Sequence, residues 1–239
     1  MKDRTKVRYF SFPVELLKGA FTNIAGVCSD AIDYAVYGRC KDYDETPEEV
    51  FKFFGITGNT NAVFTRGEEL YNSFDRPVLV SVNRAIVFDF MENPKTDFEV
   101  AIFCAFCGLR SIIGKKPFVK TNNGLLIARM FGYATAKEFE ALRQKPNYYK
   151  EFFWVKDKGK LKEKIRYQLT EKIIKNELAL KWGLRYYSNR SKGFYASFKL
   201  DFEELVFHAE KSRKSNLLKQ QQKEQRQIIE RVRKYIGGK

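Results

Sequence analysis

The chain has 239 residues, 44% hydrophobic and 15% aromatic, which is enough apolar material for one large core or two small ones and excludes wholesale disorder. Its 44 Lys and Arg against 29 Asp and Glu give a net charge of +15, a surface that draws polyanions from a distance. The excess is concentrated, because residues 151–239 hold 23 Lys and Arg against 11 Asp and Glu, a net +12.

The start, Met1 to Arg8, runs into a short mixed segment rather than a long apolar one, so no signal peptide is expected. The most apolar window, Val100 to Leu109, is about half the ~20 residues a membrane span needs and reads as a buried helix. A soluble cytoplasmic protein with no membrane partner follows as the expectation. Cys28, Cys104 and Cys107 lie among apolar residues and read as reduced, packed thiols. Cys104 and Cys107 have CxxC spacing, but without turn residues between them or a second CxxC. No metal or other cofactor is expected.

In chain order, an apolar helix is expected over 29–40. A shorter one begins at Thr46, with Pro47 at its first position and Glu48 and Glu49 at the positive end of its dipole, and stops at Gly55. Residues 77–82 and 85–90, alternating around Asn83 and Arg84, read as a β-hairpin. A helix over 97–113 follows, opened by the capping-box pattern Thr96-x-x-Glu99. Next come a helix over 125–131, capped by Thr121 or Asn122 and ended by Gly132, and a capped helix from Thr135 to Leu142. A Pro146 and Tyr-rich stretch over 145–154 precedes a basic helix over 160–182, whose Ile165, Leu169, Ile173 and Leu178 form an apolar stripe. Gly183 stops it. Residues 184–189 and 194–200 read as strands around the turn Arg190-Ser191-Lys192-Gly193. From Asp201 the chain is helical again, and 211–236 is charged, Gln-rich and too sparse in apolar residues for a heptad seam. It reads as a projecting basic helix or a partly disordered tail.

An internal repeat crosses this series. Ala31 to Gly38 matches Ala101 to Gly108 in the pattern A-I-x-x-A-apolar-x-G, 70 positions on. Val50 to Ile56 matches Ile127 to Tyr133 in the pattern apolar-x-basic-x-Phe-Gly-apolar, offset by 77. One unit used twice is the expectation, with boundaries at 1–92 and 93–202 and a basic helix or tail over 203–239. The expected fold class is mainly α with small β-hairpins.

The segment Ile127-Ala128-x-x-x-Gly132-x-x-Thr135 resembles a helix-turn-helix, in which a small residue lets two helices touch and a glycine makes the turn. The basic helix, Gly183-Leu184 and the hairpin that follow resemble a winged helix. The whole resembles tandem winged-helix DNA-binding proteins, distantly those of plasmid and phage replication initiators. That resemblance implies a double-stranded DNA-binding protein, a replication initiator or transcriptional regulator, with helix 160–182 reading the duplex and the 185–199 hairpin as wing. Helix 136–144 is the alternative reading helix. The expected contacts are Lys160, Lys162, Lys164, Arg166, Lys172 and Lys175 on the helix, with Arg185, Arg190 and Lys192 on the wing. RNA is a second possible partner, with Tyr186, Tyr187, Phe194 and Tyr195 as stacking faces. A protein-interaction scaffold, or a homodimer through the C-terminal helix, is the reading of a different class.

Enzyme chemistry finds little support. His208 is the only histidine and sits in an apolar and acidic helix, which rules out a two-His metal site. No phosphate-cradling G-x-x-x-x-G-K-[ST] loop occurs, and Asp42, Asp44 and Glu45 read as a solvated loop. A non-enzymatic protein is expected.

Overall fold

A computed structural model describes residues 8–143, 171–188 and 193–236, with the backbone alone at 140–143, 171, 173 and 232–236. The architecture is mainly helical with two small antiparallel sheets. Among the described residues no helix is long and apolar enough to cross a membrane.

The first half opens with strand β1 (Tyr9–Pro13), whose alternation buries Phe10 and Phe12 and turns Tyr9 outward. A 3₁₀ turn (Val14–Gly19) leads to α1 (Ile24–Tyr43), where the Asn23 side chain accepts the Gly26 N–H at 2.9 Å. Helix α2 (Pro47–Phe54) starts after the expected N-cap Thr46, which forms a capping box with Glu49, and ends at Gly55 in the left-handed conformation. Helix α3 (Thr60–Ser73), which the sequence reading did not place, lies along α1. A Cβ at Gly67 would come within 2.2 Å of the Asp33 carbonyl oxygen, so only glycine permits that approach.

The expected 77–82/85–90 hairpin is not formed. Strand β2 (Leu79–Asn83) pairs antiparallel with β1, in the register Tyr9↔Asn83 to Pro13↔Leu79, and residues Arg84–Glu92 form helix α4. Asn83 turns the chain, its side chain accepting the Ala85 N–H at 2.9 Å. The buried pair Val87 and Phe90 then follows helical spacing, while the apparent alternation of 86, 88 and 90 arises only because Ile86 and Phe88 pack at the flanks.

In the second half, α5 (Asp97–Ile113) keeps the predicted bounds and capping box, Thr96 with Glu99. It is apolar on nearly every side and accordingly buried, with Ala101, Cys104, Ala105, Cys107 and Leu109 fully enclosed. Short strand β3 (Val119–Thr121) precedes α6 (Asn123–Met130), which Asn122 caps through the Leu125 N–H at 2.8 Å. Then come α7 (Ala136–Arg143), α8 (Glu171–Trp182), β4 (Arg185–Tyr187), β5 (Phe194–Ser197) and α9 (Phe202–Ile236). The second sheet has the order β3-β5-β4, all antiparallel.

The first sequence match lies within α1 and α5, and the second falls on corresponding helix ends. Gly55 N–H donates to Lys52 O and Ile56 N–H to Phe51 O; 77 positions on, Gly132 N–H donates to Arg129 O and Tyr133 N–H to Ala128 O. One continuous apolar core joins the halves, through Phe90 stacked on Phe103 at 4.3 Å and Phe21 on Phe131 at 5.3 Å. All four cysteines are free and buried. Burial pushes the Cys28 thiol up to about 12 and those of Cys104 and Cys107 up as well, so the CxxC pair packs as unreactive thiols. Among the described residues no cluster could hold a metal ion.

Candidate nucleic-acid interface

Helix α8 is anchored by Ile174 and Leu178, one turn apart and both buried, which turns Lys172, Asn176 and Leu180 to solvent. Lys172 is thus an exposed cation on the free face. Lys175 is half-buried and turned inward. Its ammonium donates to Asn123 Oδ1 at 3.3 Å and lies 4.7 Å from the Phe194 ring and 5.5 Å from that of Tyr186. Its role in the fold is to tie α8 to the start of α6 and to β5. Gly183, at φ +70°, ends the helix as the sequence predicts, and Leu184 is buried.

Arg185 begins the edge strand β4 and is exposed, with one guanidinium N–H donating to Leu184 O at 3.3 Å. Lys160, Lys162, Lys164, Arg166, Arg190 and Lys192 lie outside the described residues. Of the nine expected contacts, then, Lys172 and Arg185 present free cationic surface and Lys175 does not.

The sheet has two unlike faces. Thr121, Phe194, Ala196 and Tyr186 share the face toward the main core, while Lys120, Tyr195 and Tyr187 align across the three strands on the other. The start of α9 covers that second face with Leu205 and Ala209. His208 stacks on Phe118 at 5.3 Å and acts as packing. Phe194 and Tyr195, proposed from sequence as stacking platforms for RNA bases, are 2% and 8% exposed, so no base can lie on them. Both belong to the strand that closes the sheet against the core on one side and α9 on the other. The Tyr186 hydroxyl donates to Asn176 and that of Tyr187 to Glu210.

Two cationic features bear on the interface, one that escaped the sequence reading and one that it left open between a projecting basic helix and a partly disordered tail. Lys120 is exposed on the outer edge strand, its ammonium 5.7 Å from the Tyr195 ring, and shares a small cleft with Arg213 of α9. The neighbouring run Lys115-Lys116 is exposed too, and was a visible signal. The three-residue strand that sets the direction of Lys120 was too short to read from alternation. The second feature is the continuity of α9. It is one helix of 35 residues, and every side chain from Arg213 to Arg231 is exposed. Between 211 and 236 it carries nine Lys and Arg and two Glu.

Compared with models of protein families, with curated proteins and with solved structures, the chain matches none.

Proposed function

We propose that this chain binds double-stranded DNA through a winged helix in its second half, extended by α9 as a basic arm, in the manner of a replication initiator or transcriptional regulator. The observation that carries the reading is the order α5, β3, α6, α7, α8, β4, β5 with the last strand central. Among the described residues this order is like that of a winged helix, in which a wing joins the last two strands and a helix before it enters the groove, and that likeness supports the reading. Lys172 and Arg185 stand exposed on α8 and β4, the helix and strand that precede the β4–β5 connection. The first half supports the same origin only through its matching helix ends, since it has α4 where a second wing was expected. Two copies of α9 would bring together like charges along their whole length, so a polyanion suits this arm better than a second copy of the chain.

Binding driven by phosphate neutralisation loses affinity steeply with salt. Fluorescence anisotropy on a random duplex, a hairpin RNA and a duplex bearing a selected sequence, each at about 50 and about 200 mM salt, tests the reading. Duplex affinity should fall by at least 100-fold between the two salts. Lys172→Ala or Arg185→Ala should each weaken binding to all duplexes and lower the salt slope by about 1. No binding at low salt would defeat the proposal and turn attention to a protein partner for the exposed Leu217, Leu218, Ile228 and Ile229 of α9. Tighter binding to the hairpin than to any duplex would defeat its DNA assignment.

A further inference from the structure

A wide cleft lies far along the chain from this interface, in the first half, and has a volume of about 990 Å³. Its floor is α1, its sides are the Gly55–Thr57 loop and the start of α3, and its far wall is α4. Three features make it a built site rather than a gap. Asp33 is 8% exposed and lines the cleft, yet its carboxylate accepts no hydrogen bond from any described residue. The Arg66 guanidinium beyond it is already engaged by Asp30 and Glu69. Its oxygens are left to the solvent of the cleft, where the N–H groups of a ligand can replace water.

Two arginines stand at the mouth. Arg8 and Arg84 are held side by side because the Arg84 N–H donates to the Arg8 carbonyl at 2.9 Å. Arg84 spends one Nη2 donor on Gly55 O at 3.0 Å and lies 5.0 Å from the Phe88 ring, while its Nε is buried without a partner. Arg84 is also the first residue of α4, so the positive end of that helix adds to the field. The third feature is an apolar lining of Ile32, Ile56, Val63, Phe88 and Met91. Glu92 is the carboxylate at the rim.

An occupant must bring N–H donors to Asp33, a flat apolar body to the walls and an anion to the arginines. A lysine side chain supplies the first two but sets a third cation beside Arg8 and Arg84. A fatty acid supplies the last two and leaves Asp33 bare. A nucleotide supplies all three. Among the bases, guanine alone offers N1–H and N2–H side by side, matched to the two oxygens of one carboxylate; adenine offers only its single amino group, and uracil or thymine one N–H between two acceptors. We infer that this cleft is a guanine-nucleotide site, with the base edge on Asp33, its ring against Phe88, and the phosphate on Arg8 and Arg84. The nucleotide is either free or an unstacked residue of a strand, read in the same way as an extruded base.

Isothermal titration of the full chain with GMP, IMP, AMP and inorganic phosphate tests this. IMP keeps the N1–H and lacks only the N2 amino group. GMP should bind at least 10-fold more tightly than IMP or AMP, and phosphate weakest. Asp33→Asn should erase the preference for GMP over IMP, and Arg84→Gln should weaken all three nucleotides alike while keeping it. A single-stranded oligomer with one guanine, tested as a competitor of GMP, separates the sources: competition assigns the site to a strand, and none assigns it to the free nucleotide. Duplex binding by the second half should be unchanged in Asp33→Asn, so this inference and the DNA reading fail independently. Absence of saturable GMP binding at millimolar concentration, or equal affinity for GMP and AMP in the unaltered protein, would overturn the site without any variant having to fold.

Discussion

Asp33 shows what a single residue costs the fold. Burial first, then the like charge of Asp30 on the same helix, push its carboxyl up to about 6, against a smaller opposing pull from Arg66 on α3. Arg8, Arg84 and Glu92 are the charged groups across the cleft. Because the folded state holds the proton more tightly than the unfolded chain, it binds more protons between about pH 4 and about pH 6. Stability therefore falls as pH rises through that window, and the full penalty, about 2 kcal/mol after partial screening, persists above it. Asparagine has the same shape and no charge. Asp33→Asn should raise the melting temperature by about 4 to 8 °C at pH 7.5, with the gain fading as pH is lowered to about 4. Thermal unfolding by circular dichroism across that range checks this. A gain that is the same at both pH values would show that the carboxylate is not the source.

At the scale of elements, the repeat offers a test in which one substitution has opposite effects at matched positions. Gly38 of α1 and Gly108 of α5 end the same eight-residue pattern. A Cβ at Gly38 would meet only the Tyr71 ring, at 3.6 Å, an ordinary contact, and Gly38→Ala should stabilise by about 0.5 to 1 kcal/mol through helix propensity. At Gly108 it would meet the Met130 backbone N at 2.9 Å and the Arg129 Cβ at 3.0 Å, so α5 and α6 would have to separate. Gly108→Ala should cost about 2 kcal/mol or more. Urea unfolding midpoints measure both, and a loss at Gly38 equal to that at Gly108 would contradict the packing described. Helices such as these were legible in the sequence because their signals are local: the N-cap Thr46 before Pro47, the capping box at Thr96, and glycine stops at Gly55, Gly132 and Gly183. What was not legible depends on partners distant in the chain. Strand β2 took β1, some 70 residues earlier, instead of its neighbour, and the stripe by which α3 covers α1, Val63, Phe64, Gly67, Leu70 and Tyr71, is broken at its centre by the glycine that the close approach to Asp33 requires. The candidate site followed the same division. Lys172 and Arg185 were placed by a local helix stripe and strand, whereas the inward turn of Lys175 depends on Asn123, 52 residues away.

For the whole molecule the question is where the charge does its work, since a net +15 spread over a globule and the same charge on an arm have different consequences. Helix α9 packs on the sheet through Leu205 and Ala209, and from Arg213 onward to Arg231 its described side chains are exposed. At 1.5 Å per residue, the 211–236 segment is about 39 Å long, close to one turn of duplex DNA. A helix so exposed adds little to the stability of the core, because burial is what stabilises an isolated helix in a protein. Its cations can therefore be removed without disturbing the fold of the second half. A chain ending at Arg213 should melt within about 2 °C of the full chain, as judged by circular dichroism. Its random-duplex affinity should be lower, and the slope of log affinity against log salt shallower by about 3 to 5, because fewer counterions are released. Discrimination between a selected and a random sequence should stay the same, since phosphates carry no sequence information directly. If the shortened chain kept the full slope, the cations that neutralise DNA would have to lie elsewhere, and the arm would be a solvated face with no part in binding. If it kept the slope but lost discrimination, α9 would be reading bases, and the division of labour between helix and arm would be reversed.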